Sequence, residues 1–284
     1  MWYLIYRVLV ALIFAAGITA QFVNSNLGAK WFIYMTDQGI CFLFLHFLLD
    51  ACIVVARFTW EKSHPEYASY HANESLSGTY KLSWVFNSCF FNIALFISVI
   101  YWTVLHKCKS NLLHKKHLLP ISLFPVVMEA HLLKNEAAIY LNIFLHAVNS
   151  IACLIDVFIT ARPWKIFHFV YPICFGLYYT AFSLIYWGAG GVGVCYTTDI
   201  GHPTAIVKKG GFWCDPFIYP ILDWQSNPAI AAGVLAGGCI VLPIFHAFWM
   251  GLAKIRQMIY SCTCGRGMTD YEERYINPPA TTSL

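Results

Sequence analysis

The sequence predicts an all-α fold, a polytopic transmembrane helical bundle with six spans. Of 284 residues, 59% are hydrophobic and only 11% charged, whereas a soluble domain carries about 25% charged residues. Apolar runs of about 20 residues recur along the chain, each long enough to cross roughly 30 Å of hydrocarbon as a helix. A net charge of +4, spread over both faces of the membrane, gives nucleic acid no basic footprint. Soluble enzymes, secreted disulfide scaffolds and disordered hubs are excluded together.

The first run, residues 2–20, carries Arg7 early, as a signal peptide does. Its apolar stretch is too long for one, however, and Gln21 to Asn26 offers no small-x-small cleavage site. An uncleaved helix is expected. The others follow at 32–56, 84–105, 138–160, 166–187 and 229–252. The apolar stretch Leu112 to Leu133 is broken by Pro120, Pro125, Glu129 and His131, which predicts an interfacial or re-entrant element instead of a seventh span. The last span holds Gly233 and Gly237 at close-packing spacing, with an intrachain partner expected. It also holds Pro243, which predicts a kink, and just beyond it His246, placed to take up a freed carbonyl or to join helices. The spans make up a domain of 1–256. The polar stretch 257–284, with its proline pair, is expected to be a disordered cytoplasmic tail.

Six spans put both termini on one side. Lysines and arginines hardly discriminate which, with nine on the terminal side besides Arg7 and eight on the other. Cys262 and Cys264, just past the last span beside Lys254, Arg256 and Arg266, favour cytoplasmic termini as lipidation candidates next to anionic lipid. In this topology the acceptor triplet Asn73-Glu74-Ser75 faces the cytoplasm, and Cys195 and Cys214 face the oxidising side, where they can pair. Most other cysteines lie inside apolar runs, and none has zinc-like spacing. Neither a metal nor a cofactor is expected. Membrane lipids are the expected partners, and Thr282-Ser283-Leu284 fits the short C-terminal form that PDZ domains read.

Ionisable residues at membrane depth mark function or interhelical bonding. In the fourth span Asn142, His146, Asn149, Cys153 and Asp156 follow spacings of 4, 3, 4 and 3 and form one polar stripe. The second span carries Thr36, Asp37, His46 and Asp50. Both helices enter from the non-terminal side, so Thr36 and His146 lie within about 4–8 Å in depth. A threonine hydroxyl within reach of a neutral imidazole is a candidate nucleophile and base, with Asp50, Asn142, Asn149 and Asp156 as supporting polar groups. Equally, such residues bond helices together where water is absent.

Leu145-His146-Ala147-Val148-Asn149-Ser150, Asp156-Val157-Phe158, Arg162-Pro163-Trp164, Ile185-Tyr186-Trp187-Gly188-Ala189-Gly190-Gly191 and Ile218-Tyr219-Pro220-Ile221-Leu222-Asp223-Trp224 resemble the Rolling stone family of six-span membrane proteins. The resemblance covers most of the chain and is densest from 140 to 225. It implies a plasma-membrane protein, of a family whose founding member is associated with myoblast fusion. More distantly, Tyr34-Met35-Thr36-Asp37 and the Asn142 to His146 stretch are similar to the androgen-induced family of intramembrane hydrolases of fatty acid esters. That likeness implies Thr36 as nucleophile and His146 as its partner. Two functions follow as expectations: cell contact or membrane fusion, and lipid-ester hydrolysis. A transporter fits less well, because no inverted repeat is visible.

Overall fold

The computed structural model describes residues 2–25, 27–63, 78–105, 136–196, 207–209 and 212–264. Six helices in it are long and apolar enough to cross a membrane. They are α1 (Trp2–Asn24), α2 (Met35–Ser63), α3 (Gly78–Ile100), α4 (136–159), α5 (Val170–Gly188) and α6 (Pro228–Cys264). The bundle is the all-α architecture that the apolar runs predict, with most ends shifted by a few residues. The candidate sequon at Asn73, the stretch 112–133 and the C-terminal residues 265–284 lie outside the described residues.

In α1, Arg7, Ala11, Phe14 and Gln21 are buried, a spacing that repeats one helical face. Ile5, Leu9, Leu12 and Ile13 are exposed, as suits a face towards lipid. The buried face lies on α2, and Gln21 Nε2 donates to the Leu141 carbonyl of α4. Gly17 permits this packing, since a Cβ there would lie 2.2 Å from the Phe144 ring, itself held 5.6 Å from Phe14. Gly17→Ala is therefore expected to cost about 1–3 kcal/mol of stability by overpacking, read as a lower unfolding midpoint in detergent. An unchanged midpoint contradicts that packing.

Helix α3 is the central element, buried through most of Ser83–Ser98 and packed against α2, α4, α5 and α6. Its Phe90 stacks on Phe42 of α2 at 5.0 Å, and its Phe91 meets Trp249 of α6 at 5.7 Å. Helix α4 consists of Glu136–Ile143, a π-helical turn at Phe144–Val148 and Asn149–Ile159. A second π-turn, Tyr101–Leu105, extends α3 opposite the first.

Helix α6 has 37 residues and so runs about 55 Å, well beyond the hydrocarbon thickness. It continues to Cys264, eight residues past the expected domain end at 256, and so includes both lipidation candidates. Cys262 is exposed. The helix also continues through Pro243. His246 does not take up a carbonyl freed by that proline: its Nε2 donates to Lys165 O at 2.9 Å and its Nδ1 faces Asn92 Nδ2 at 3.3 Å. Nothing lies within 4 Å of a Cβ placed at Gly233 or Gly237, so the expected intrachain partner of that face is absent among the described residues.

Beyond α5 the chain forms what the sequence did not reveal, a small antiparallel sheet of β1 (Cys195–Tyr196), β2 (Val207–Lys209) and β3 (Phe212–Cys214) in the order β1-β3-β2. Strands this short leave no alternation to detect. Cys195 pairs with Cys214 across β1 and β3 and forms the expected disulfide with it. Gly190 turns the chain out of α5 at φ +72, and a Cβ at Gly193 would meet the Phe217 carbonyl at 2.1 Å, so both positions require glycine.

Candidate functional site

The bundle has two polar poles. At the terminal face, Arg7 Nη1 donates to Asp156 Oδ1 at 2.6 Å and lies 3.1 Å from Asp50 Oδ2, with all three side chains buried. Tyr6 OH donates to the same Asp156 oxygen at 3.0 Å. Arg162, from the connection after α4, donates through Nη2 to Asp50 Oδ2 and through Nη1 to Asn87 Oδ1 at 3.3 Å. Ser83 also donates to Asp50. Two carboxylates thus face two guanidiniums, a neutral set at membrane depth.

His46 completes this cluster. Arg162 Nη1 lies 3.0 Å from its Nε2, and a guanidinium only donates. Nε2 is therefore the acceptor, and the proton of the imidazole sits on Nδ1. The approach of Nε2 to Asp50 Oδ2 at 3.4 Å is then a meeting of two acceptors, not an ion pair. His46, Asp50 and Asp156 offer ligand atoms within 4.8 Å of one another, a spacing that would suit a metal. The arginines already supply the positive charge there, so the geometry is that of an ion-pair lock joining α1, α2 and α4. Alongside it, Arg256 Nη1 of α6 donates to the Val157 carbonyl at 3.1 Å and to that of Thr160. It thereby satisfies the open carbonyls at the C-terminal end of α4, where a cation is favoured.

Asp50 and Asp156 thus serve the lock. Both aspartates are among the supporting polar groups expected from the sequence, whereas Arg7 stands there as an early charge of the first run, Arg162 as part of a family motif and Arg256 as a cation beside the lipidation candidates. The signal was available, since two aspartates at membrane depth require cations, and Arg7 is a lone charge inside the first apolar run. The lock also fixes register, because it holds Asp50 and Asp156 beside one Arg7 nitrogen. Thr36 is fourteen residues before Asp50 and His146 ten before Asp156, a four-residue offset of about 6 Å in depth.

Within that offset the two residues have different partners, and no hydrogen bond joins them among the described residues. Thr36, half-buried, lies 3.3 Å through Oγ1 from Tyr219 OH. Burial pushes the Tyr219 phenol up to about 12, so it stays protonated at neutral pH and is no general base. His146 is buried with its ring stacked on Tyr101 at 3.7 Å and 1°, and its Nδ1 has no hydrogen-bond partner among the described residues. The two π-turns meet here. Trp102 Nε1 of the α3 turn donates to the His146 carbonyl of the α4 turn at 2.9 Å, and Asn142 donates to Tyr101 OH. Asn149 Oδ1 accepts from Ser98 of α3 at 3.2 Å. The stripe on α4 is therefore divided: Asn142 and His146 turn to Tyr101, Asn149 to α3 and Asp156 to Arg7.

At the loop face, Lys30 Nζ donates to Gly193 O at 2.8 Å and lies 3.1 Å from Cys195 Sγ. Tyr179 OH donates to Ile33 O at 2.8 Å. The disulfide-braced sheet is thereby tied to the α1–α2 connection.

The family model for protein rolling stone matches residues 1–264. The chain belongs to the Rolling stone family. Protein rolling stone of Drosophila melanogaster is 26% identical to it over 258 residues, covering 90% of this chain and 78% of the relative. No solved structure matches. As a Rolling stone family member with six apolar spans, the chain is an integral membrane protein.

Proposed function

We propose that this chain is a multi-pass plasma-membrane protein with cytoplasmic termini that acts in cell contact or membrane fusion, such as myoblast fusion. The Cys195–Cys214 disulfide carries this reading. Disulfides persist in oxidising compartments, so the braced sheet at the loop face supports an outward-facing surface, opposite both termini. The Rolling stone resemblance supports the fusion role. On the cytoplasmic side, exposed Cys262 beside Lys254 is suited to acylation, together with Cys264, and Thr282-Ser283-Leu284 to capture by a PDZ domain. In a co-culture of cells loaded with separate dyes, expression of the chain is expected to raise dye mixing. Normal surface display with no gain in mixing overturns the proposal.

Intramembrane hydrolysis of lipid esters is the second reading, favoured by the paired π-turns at His146, since such turns concentrate at functional sites. Thr36 would be the nucleophile and His146 the base, with the 6 Å offset closed on substrate binding. A lipid-like serine/threonine-hydrolase probe should then label wild type and not Thr36→Ala or His146→Ala. Absence of labelling on folded wild type removes this reading.

A further inference from the structure

One buried group at the loop face has no role in either reading. Asp37 sits in the first turn of α2 and is 5% exposed, yet no donor or cation pairs with it among the described residues. The adjacent Gln38 donates through Nε2 to Phe32 O at 2.8 Å, which leaves its own Oε1 buried without a partner. Three tyrosines occupy the same end of the bundle. The Tyr219 ring lies 5.6 Å from that of Tyr34 and 6.4 Å from that of Tyr179, and the Tyr219 hydroxyl reaches the residue before Asp37, 3.3 Å from Thr36 Oγ1.

A carboxylate withdrawn from water takes up a proton or requires compensation. The positive end of α2 supplies part of it, and a cation would complete it. One carboxylate is too few for a divalent ion, which gathers several oxygen ligands. A primary ammonium needs a single carboxylate, offers N–H donors to an acceptor such as Gln38 Oε1, and is attracted to tyrosine faces. Asp37 lies two residues into the span that begins at Met35, which is headgroup depth. We propose that Asp37, with Gln38 and the tyrosines, binds a primary ammonium group, presented by an aminophospholipid headgroup at the loop face or by a free small amine. The site does not depend on the contact or hydrolase reading.

The test uses the full chain in nanodiscs of phosphatidylcholine alone, of phosphatidylcholine with phosphatidylethanolamine, and of phosphatidylcholine with ethanolamine in the buffer. The unfolding midpoint of wild type is expected to rise with phosphatidylethanolamine, and native mass spectrometry should show the lipid retained. Asp37→Glu should keep the rise and Asp37→Asn should lose it. A rise with ethanolamine as well assigns the site to free amines, and a rise with the lipid alone assigns it to the headgroup. An unchanged wild-type midpoint in all three preparations overturns the proposal, whether or not Asp37→Asn folds. So does a rise that survives in folded Asp37→Asn.

Discussion

Arg7→Met is expected to destabilise the bundle by about 3–5 kcal/mol, the usual cost of leaving a buried ion pair without one partner. The arginine is 0% exposed and serves both Asp50 and Asp156. Arg162 still reaches Asp50 in the variant, but among the described residues Asp156 keeps only the Tyr6 hydroxyl on its side-chain oxygens. The loss should therefore concentrate on Asp156. Adding Asp156→Asn to Arg7→Met removes the orphaned charge and should recover much of the stability, whereas Asp156→Asn alone should be costly, since it leaves Arg7 in excess. Unfolding midpoints of the four proteins in detergent check this as a double-mutant cycle. Additive losses in the double variant contradict the lock.

Cys195→Ser is expected to cost about 2–4 kcal/mol in the loop-face sheet, because the disulfide joins cysteines 19 positions apart in the chain. The three strands have two or three residues each, and the disulfide joins the paired positions Cys195 and Cys214 of β1 and β3. Limited proteolysis should cut the variant between residues 188 and 228 faster than wild type. The same cysteines report sidedness. On intact cells, an impermeant maleimide should label Cys195 and Cys214 only after an impermeant reductant is added. Labelling that requires permeabilised cells places the loop face inside and contradicts the topology.

The fold was legible because the bilayer imposes it: runs of apolar residues have one solution, and the runs counted in the sequence are the helices of the bundle. The stripe on α4 was legible in part: of its five residues His146, Asn149, Cys153 and Asp156 are buried across the π-turn, while Asn142 is half-buried. What each polar residue meets was not legible. Helical spacing gives the face of a residue and its depth, and for Thr36 and His146 the depth agrees to about one turn. It does not give the lateral neighbour, which here is Tyr219 for one and Tyr101 for the other. The arginines were missed because charge counting treats them as loop residues. Arg162 and Arg256 fold inward from the ends of helices, where long side chains reach buried acceptors. The sheet was invisible because a disulfide and a lysine hold it, not a hydrophobic pattern.

The contact and hydrolase readings separate in a single measurement: dye mixing between co-cultured cells, normalised to surface display, for wild type, Thr36→Ala and the Cys195→Ser/Cys214→Ser pair. If the loop face acts in contact or fusion, Thr36→Ala mixes as wild type does and the cysteine variant loses mixing. Loss of mixing in Thr36→Ala, with the cysteine variant unaffected, contradicts it and places the function at the threonine inside the membrane.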